Sequence, residues 1–307
     1  MVKYSKKITH LILSDGGFKG FVYLGILRFF YIHNLIDSIK NISGTSIGAL
    51  FAVIFALKIP IEYIEKEFYE VLEEVRDNKT CFIDYNCFHN LFIENGILSL
   101  DFLINPIKKY LKSKYEIDDI TFIDFIKKTG VNIYINCTNI NTNTNKVFSA
   151  DDTPNISVIE VLRATMCIPI IFKPIKIDDE YYIDGCINQS LTYYHDTFGE
   201  VPEHNKLFIY INPNISNITD CSSSIEYIKQ TLNIMFNYKF KKTENTKKDF
   251  ILTLNDIPYE EAMKFHITKK NIKINVSQED LNKLILKGFI DISEYMSKFL
   301  INEKSSQ

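Results

Sequence analysis

The sequence has no long apolar run, no basic excess and no C-x-x-C pair among its six cysteines. A membrane-spanning helix needs about 20 consecutive apolar residues, whereas the longest apolar run, Ala49 to Leu57, stops at Lys58. The formal net charge is −3 at pH 7, while proteins that bind nucleic acid usually carry a basic excess. We therefore expect no transmembrane segment and no nucleic-acid partner.

The cysteines are scattered along apolar segments, and their spacing does not match a structural zinc site. This usage is typical of reduced thiols in a cytosol-like compartment. The basic start, Met1 to Lys7, runs directly into a short predicted strand and lacks the apolar core of a signal peptide. We expect a soluble, unsecreted protein of the cytoplasm that binds no metal and no cofactor.

A hydrophobic fraction of 46% with 24% charged residues is typical of a folded globular protein. Strand patterns and helix patterns alternate along the chain, which indicates the α/β class. The predicted strands are 9–13, 131–138, 147–149, 175–177, 181–183 and 207–211, with an edge strand at 250–254. The predicted helices are 23–32, 49–57, 61–76, 101–111, 158–163, 225–240 and 278–301. Pro106 either kinks its helix or lies in its first turn, Gly288 interrupts the last helix, and residues 80–95 form either a lid or a small separate core.

The sequence Gly44-Thr45-Ser46-Ile47-Gly48 matches the motif G-x-S-x-G. In such an elbow a sharp turn from strand to helix exposes the serine hydroxyl to a substrate carbonyl. The glycines remove Cβ atoms that would clash with the serine and its neighbours, and the helix that follows points its N-terminal N–H groups toward the serine. An ordinary glycine-rich turn gives the same short pattern, so the surrounding segments must decide.

A second glycine-rich segment, Ser14-Asp15-Gly16-Gly17-Phe18-Lys19-Gly20, lies between the first predicted strand and the first predicted helix. A strand, a glycine loop and a helix in this order align free backbone N–H groups that can hold an anion. The loop alone does not distinguish a phosphate from the oxyanion of acyl transfer. The serine elbow on the next strand favours the oxyanion.

Four segments stand in the order and approximate spacing found in patatin-like phospholipases. They are the loop 13–20, the elbow 44–48, the segment Ala164-Thr165…Pro169…Phe172-Lys173-Pro174 and the pair Asp184-Gly185. The chain resembles that family over residues 9–211. The resemblance implies a three-layer α/β/α fold with a central, mostly parallel sheet and a serine nucleophile elbow. We expect residues 1–213 to form the acyl hydrolase domain and residues 214–307 a mainly helical extension that packs on it or completes it.

The resemblance also implies a Ser-Asp dyad, in which Ser46 is the nucleophile and Asp184 accepts its proton without any histidine. It implies backbone donors of an oxyanion loop and glycines that support the motifs, namely Gly16, Gly17, Phe18 and Lys19 for the loop and Gly44, Gly48 and Gly185 for support. The implied activity is that of a phospholipase A or lysophospholipase. The implied partner is a phospholipid or another acyl lipid, reached by peripheral contact with a membrane surface and without calcium.

Asp15 departs from the family pattern, because it stands where the first glycine of a triplet is usual. An ionised carboxylate there would oppose the charge that develops in an oxyanion hole. Two alternatives stay open. An α/β-hydrolase would add a histidine to the same serine and aspartate, and the candidates are His195, His204 and His266. A lipid-binding or regulatory module with weakened catalysis would keep the same scaffold.

Overall fold

A computed structural model defines the fold for residue 4 and for residues 7–77, 100–169, 172–188, 201–212, 251–255, 264–268, 271–275 and 277–300. Within these ranges, the main sheet has eight strands. They are β1 (His10–Leu13), β2 (Asn41–Thr45), β3 (Asn132–Asn139), β4 (Thr144–Phe148), β5 (Ile175–Ile177), β6 (Glu180–Asp184), β7 (Lys206–Ile211) and β8 (Ile251–Leu254). Two further strands, β9 (Lys264–Thr268) and β10 (Asn271–Asn275), pair with each other.

Most of the described helices lie in the first half of the chain, between strands of the main sheet. They are α1 (Val22–Ile32), α2 (Ile47–Leu57), α3 (Ile61–Asp77), α4 (Asp101–Tyr115), α5 (Phe122–Thr129), α6 (Val158–Thr165) and α7 (Gln278–Ser297). A short 3-10 helix, Gly17–Phe21, leads into α1.

The strand order in the main sheet is β5-β6-β3-β2-β1-β7-β8, and β4 pairs with β3 off this path. Strands β3, β2, β1, β7 and β8 are parallel, whereas β4, β5 and β6 are antiparallel to their neighbours. Parallel neighbours require long crossover connections, which the helices supply. The predicted α/β fold with a central, mostly parallel sheet is therefore confirmed.

Both faces of the central strand β1 are buried. Leu11 and Leu13 belong to the main core, whereas Ile12 lies on the opposite face and contacts Tyr134 and Phe208. Successive strand residues point to opposite faces of a sheet, so side chains cover β1 from both sides. This double burial explains why the strand sequence is continuously apolar rather than alternating.

Helix α2 begins directly after Ser46, and all of its residues are buried. Its sequence is apolar around the whole circumference, so no face of it is suited to water. The helix packs against β1, β2 and β3, and the predicted buried helix is confirmed. Its position holds the serine elbow against the centre of the sheet.

Most of the other predicted elements are confirmed, including the hairpin that ends at Asp184 and the edge strand β8. Helix α4 begins at Asp101 and continues past Pro106, so the proline lies inside the helix and not in its first turn. Helix α5 was not predicted, although Thr121 caps it by accepting the Asp124 N–H. Residues 80–95, predicted to form either a lid or a small separate core, and the predicted helix at 225–240 lie outside the described residues.

Helices α1 and α7 pack with their backbones in close contact. A Cβ atom at Gly25 would collide with the carbonyl oxygen of Ile285, and one at Gly288 would collide with that of Val22. The expectation that Gly288 interrupts the helix is wrong, because α7 runs unbroken from Gln278 to Ser297. The glycine serves close packing instead.

Residues after 213 contribute to the main body of the fold. Strand β8 extends the sheet beside β7, and α7 packs against α1. These contacts support our proposal that the C-terminal extension completes the domain formed by residues 1–213. In the part of the chain that the structure describes, no helix combines the length and the apolar composition needed to cross a bilayer.

We predict that Gly288→Ala lowers the free energy of unfolding by about 1–3 kcal/mol, the usual cost of overpacking. In an exposed helix the same change would raise stability by about 1 kcal/mol, because alanine is the better helix former. Urea unfolding followed by circular dichroism measures the sign directly. The exposed helix position Glu294→Ala is the control and should change stability by less than about 0.5 kcal/mol. A stabilised Gly288→Ala variant would contradict the close contact.

Candidate active site

Ser46 lies between β2 and α2 with φ 54° and ψ −129°, a conformation that non-glycine residues rarely adopt. A Cβ at Gly48 would meet the carbonyl oxygens of Leu13 and Ser14, and one at Gly44 would meet the backbone of Ala49. Neither position therefore accommodates a side chain. The local geometry is that of a nucleophile elbow, with the turn pressed against the end of β1.

The register of β3 brings Asp184 to the same level as Ser46. Strand β3 lies between β2 and β6, where Asn136 pairs with Thr45 and the next residue, Cys137, pairs with Asp184. The two candidate residues therefore follow or end strands that flank β3 on opposite sides. Their side chains need only reach across one strand.

Ser46 Oγ donates a hydrogen bond of 2.7 Å to Asp184 Oδ2. The second carboxylate oxygen, Oδ1, accepts the backbone N–H of Cys186 at 3.0 Å. Asp184 is 1% exposed and Ser46 is 6% exposed, so the pair is almost completely shielded from solvent. Each oxygen of the carboxylate thus has a donor, which fixes the plane of the group and its aim at the serine.

Burial raises the pKa of Asp184 from 3.8 to about 6, while the hydrogen bonds from Cys186 and Ser46 offset part of the rise. A carboxylate in low dielectric is disfavoured relative to its protonated form. The same change makes Asp184 a stronger base than an aspartate in water. Proton transfer from Ser46 to Asp184 therefore costs less free energy than transfer to an aspartate in water.

The glycine loop follows β1, which pairs with β2 so that Leu13 stands beside Gly44. The loop and the elbow are thus neighbours at the same edge of the sheet. Gly17 has φ 53°, in the left-handed region, and begins the 3-10 helix. Gly185, the remaining supporting glycine, packs against the carbonyl of Asn136 on β3.

Polar contacts hold the loop in place. Tyr23 OH donates to the carbonyl of Ser14 at 2.8 Å, and Ser14 Oγ accepts the Ile211 N–H at 2.9 Å. The Lys19 N–H donates to the carbonyl of Gly16 at 3.1 Å. The Lys19 side chain is buried, which lowers its pKa to about 8, and its Nζ donates to the carbonyl of Asn212 at 3.5 Å. The predicted loop residue Phe18 is half-buried and packs against the core.

Asp15 places a second carboxyl group beside this pair. Burial raises its pKa to about 7, and the negative charge of Asp184 adds to the rise. Two carboxylates in one site repel each other, so they ionise in successive steps that belong to the pair. Asp15 is therefore electrostatically coupled to the candidate base.

Three buried polar residues behind the pair were not predicted from the sequence to have any role. They are Asn136, Thr138 and Thr165, and they bond to the backbone of the elbow or of the segment around Asp184. The alternating pattern of β3 predicted a strand but no role for its polar side chains, and in the structure Asn136 is only 1% exposed. The sequence offered one indication for Thr165, because this residue lies in one of the four segments that resemble patatin-like phospholipases.

Of the candidate histidines of the triad alternative, the structure describes His204 and the backbone of His266. His204 is exposed and precedes β7, at the edge of the sheet opposite to the elbow. His195 lies outside the described residues. His266 lies on β9, which is not part of the main sheet. Among the described residues, no group of three or more His, Cys, Asp or Glu side chains is arranged to hold a metal ion.

The mostly parallel sheet, flanked by helices and carrying a serine elbow after its second strand, defines an α/β protein with a nucleophile elbow. The family model for patatin-like phospholipases matches residues 11–192. The chain therefore belongs to the patatin-like phospholipase family. The expected resemblance is confirmed.

Two viral proteins are similar in sequence. The "Uncharacterized protein R571" of Acanthamoeba polyphaga mimivirus is 31% identical over 195 residues, which cover 62% of this chain and 62% of that protein. The "Probable lipid hydrolase 463L" of Invertebrate iridescent virus 6 is 27% identical over 175 residues, or 57% of this chain and 58% of that protein. The matched region thus spans about three fifths of each relative.

Among solved structures, VipD from Legionella pneumophila is similar with a TM-score of 0.58. The alignment covers 97% of this chain and 68% of VipD, at 15% sequence identity. At this identity the similarity concerns the fold alone. It agrees with the α/β architecture described above.

We predict that Asp184→Asn raises the free energy of unfolding at pH 7.5 by about 1–3 kcal/mol. The folded-state pKa of Asp184 is raised to about 6, so its carboxylate destabilises the fold above that pH, and one pKa unit corresponds to about 1.4 kcal/mol. Below about pH 4 Asp184 of the wild type is protonated and as neutral as the asparagine of the variant. The difference in the free energy of unfolding should therefore vanish. Urea unfolding at pH 7.5 and pH 4 tests both statements, and a variant that is less stable at pH 7.5 would contradict them.

Proposed function

We propose that the chain is a lipid acyl hydrolase of the phospholipase A or lysophospholipase type that cleaves carboxylic esters through Ser46 and Asp184. The observation that carries the proposal is the 2.7 Å hydrogen bond from Ser46 Oγ to Asp184 Oδ2 within a buried elbow. Family membership and the viral relative named as a probable lipid hydrolase support a lipid ester as substrate. Because phospholipids reside in bilayers, we also propose peripheral contact with a membrane surface.

The first half-reaction forms an acyl-enzyme. Asp184 Oδ2 accepts the proton of Ser46 as Oγ attacks the ester carbonyl carbon, and the carbonyl oxygen becomes an oxyanion. The tetrahedral intermediate collapses by breaking the bond to the leaving alkoxide, which takes the proton from Asp184. A carboxyl group with a raised pKa can both accept and donate the proton, since its pKa lies near the working pH.

Water completes the cycle in the second half-reaction. Asp184 accepts a proton from a water molecule whose oxygen attacks the acyl carbon. The bond from that carbon to Ser46 Oγ then breaks, and Oγ regains a proton from Asp184. The products are a carboxylic acid and the free enzyme, so one carboxyl group serves as base and acid in turn.

Backbone N–H groups of the glycine loop stabilise the oxyanion in this proposal. The Lys19 N–H already donates to Gly16, whereas Gly17 and Phe18 open the first turn of the 3-10 helix, where N–H groups have no partner within the helix. We assign the main role in the loop to Gly17 and Phe18. A preorganised donor of this kind contributes about 10²–10³-fold to kcat.

We predict that Ser46→Ala and Asp184→Asn each lower ester hydrolysis by about 10³-fold or more, because the two groups act as one unit. Hydrolysis of lysophospholipid and of a short-chain ester measures the loss. A fluorophosphonate probe, followed by intact mass and peptide mapping, should label Ser46 in the wild type. It should not label Ser46→Ala.

Ser43→Ala is the matched control and should retain activity, since Ser43 is a buried serine on β2, the strand that ends directly before Ser46. Replacement of His195, His204 and His266 should also leave activity largely intact. Loss of activity with a histidine would favour the triad alternative. Vesicle binding by a wild type without turnover would favour the lipid-binding module.

We predict a bell-shaped dependence of kcat/KM on pH. Activity rises through about pH 6 as Asp184 becomes a base, and it falls above about pH 7 as Asp15 ionises and opposes the oxyanion. Asp15→Asn should remove the alkaline limb and keep the acid limb. Initial rates of a soluble ester measured between pH 4.5 and 9 give both limbs.

The exposed Asp152→Asn variant is the control for removal of one carboxylate and should keep both limbs. An alkaline limb that persists in Asp15→Asn would exclude Asp15 as its cause. Loss of all activity in Asp15→Asn would instead place Asp15 among the groups required for turnover.

A further inference from the structure

The last residue of α6 and the turn that follows it contact the backbone of both proposed catalytic residues. Thr165 Oγ1 accepts the N–H of Ser46 at 2.9 Å. Two residues further, the carbonyl of Cys167 accepts the N–H of Asp184 at 2.9 Å. One short segment therefore holds the nucleophile and the base, although these residues lie far apart in the sequence.

We propose that Thr165 is a positioning residue, whose hydroxyl holds the strained elbow so that Ser46 Oγ stays within hydrogen-bond distance of Asp184. This inference rests on the proposed function. It adds a role for a side chain that does not touch the reacting atoms. The ester substrate and the sequence of proton transfers stay as described above.

The hydroxyl of Thr165 is fixed by a second hydrogen bond. Oγ1 donates to the carbonyl of Asn136 on β3 at 2.6 Å, and Thr165 is fully buried. Because its proton is engaged with Asn136, the oxygen presents a lone pair to the N–H of Ser46. The hydroxyl thus connects the elbow to the central sheet.

Asn136 connects the same point to the other half of the pair. Its side-chain Nδ2 donates to the carbonyl of Gly185 at 3.2 Å, while Thr138 Oγ1 donates to the carbonyl of Asp184 at 2.9 Å. Strand β3 also pairs directly with Gly44 and Thr45 of the elbow. At Ser46 itself, the backbone N–H is connected to β3 through the hydroxyl of Thr165.

The hydrogen bond between the Ser46 N–H and Thr165 Oγ1 matters because the backbone of Ser46 is strained. Ser46 has φ 54° and ψ −129°, and such a conformation persists only where the surroundings enforce it. The hydrogen bond from the Ser46 N–H restrains rotation about the bond that defines φ. Without it the elbow relaxes, and Oγ moves relative to Asp184.

The test compares Thr165→Val, which keeps the shape and removes the hydroxyl, with Thr165→Ser, which keeps the hydroxyl. We expect kcat to fall about 10- to 100-fold in Thr165→Val with KM unchanged, since a misplacement of about 1 Å has this effect. Thr165→Ser should recover most of the wild-type kcat. If Thr165→Val does not fold, Thr165→Ala and Thr165→Ser give the same comparison, because they differ only by the hydroxyl.

Labelling by the fluorophosphonate probe separates positioning from stability. The end point of labelling counts folded sites, and the rate constant reports the reactivity of each site. The proposal expects an unchanged end point and a slower rate in Thr165→Val. A purely structural role would lower the end point and leave the rate per site unchanged, which would overturn the proposal.

Thr153→Val is the matched control. The Thr153 hydroxyl also accepts a backbone N–H and donates to a backbone carbonyl, both of Ser149, in the turn between β4 and α6. We expect this variant to lose stability without any change in rate per site. Wild-type kcat in Thr165→Val, with Ser46 and Asp184 still essential, would refute the inference alone. Absence of turnover in the wild type would refute the proposed function instead.

Discussion

The pairing of β3 with both β2 and β6 is the constraint on which the candidate site depends. Ser46 follows β2 and Asp184 ends β6, and these two strands do not pair with each other. The register of β3 with each of them places the two residues side by side. A shift of either pairing by one residue would turn the partner side chain to the opposite face of the sheet. The buried core on both faces resists such a shift, so ordinary packing maintains the 2.7 Å contact between the two side chains.

The same burial that aligns the pair also destabilises it. Asp15 and Asp184 both have raised pKa values, because a dry environment disfavours their ionised forms. The fold retains Asp184 in contact with a serine in a strained conformation, together with a second carboxyl group, Asp15, that interacts electrostatically with Asp184. Loss of stability at a functional site is expected where reactivity requires groups that packing alone would not select.

Much of the fold follows from the sequence pattern. The strands β1, β3 and β7 and the helix α2 are strongly apolar or strongly periodic, and the structure confirms them. Helix α5 was missed because it is short and polar on one side, and its cap at Thr121 is a weak signal. Gly288 was taken for a helix break, because a glycine that ends a helix and a glycine that permits close packing cannot be distinguished without the partner helix α1.

The sequence by itself determined the α/β class, the serine elbow and the glycine loop, since each is encoded by residues that lie near one another in the chain. The resemblance to a family added the candidate aspartate. Only the tertiary structure decided the contact between Ser46 and Asp184, the coupling of Asp15 to that pair and the role proposed for Thr165. The physical reason is that hydrogen bonds, burial and pKa shifts depend on distances between strands. Local sequence determines where a strand ends, but pairing and packing determine which other residue it meets.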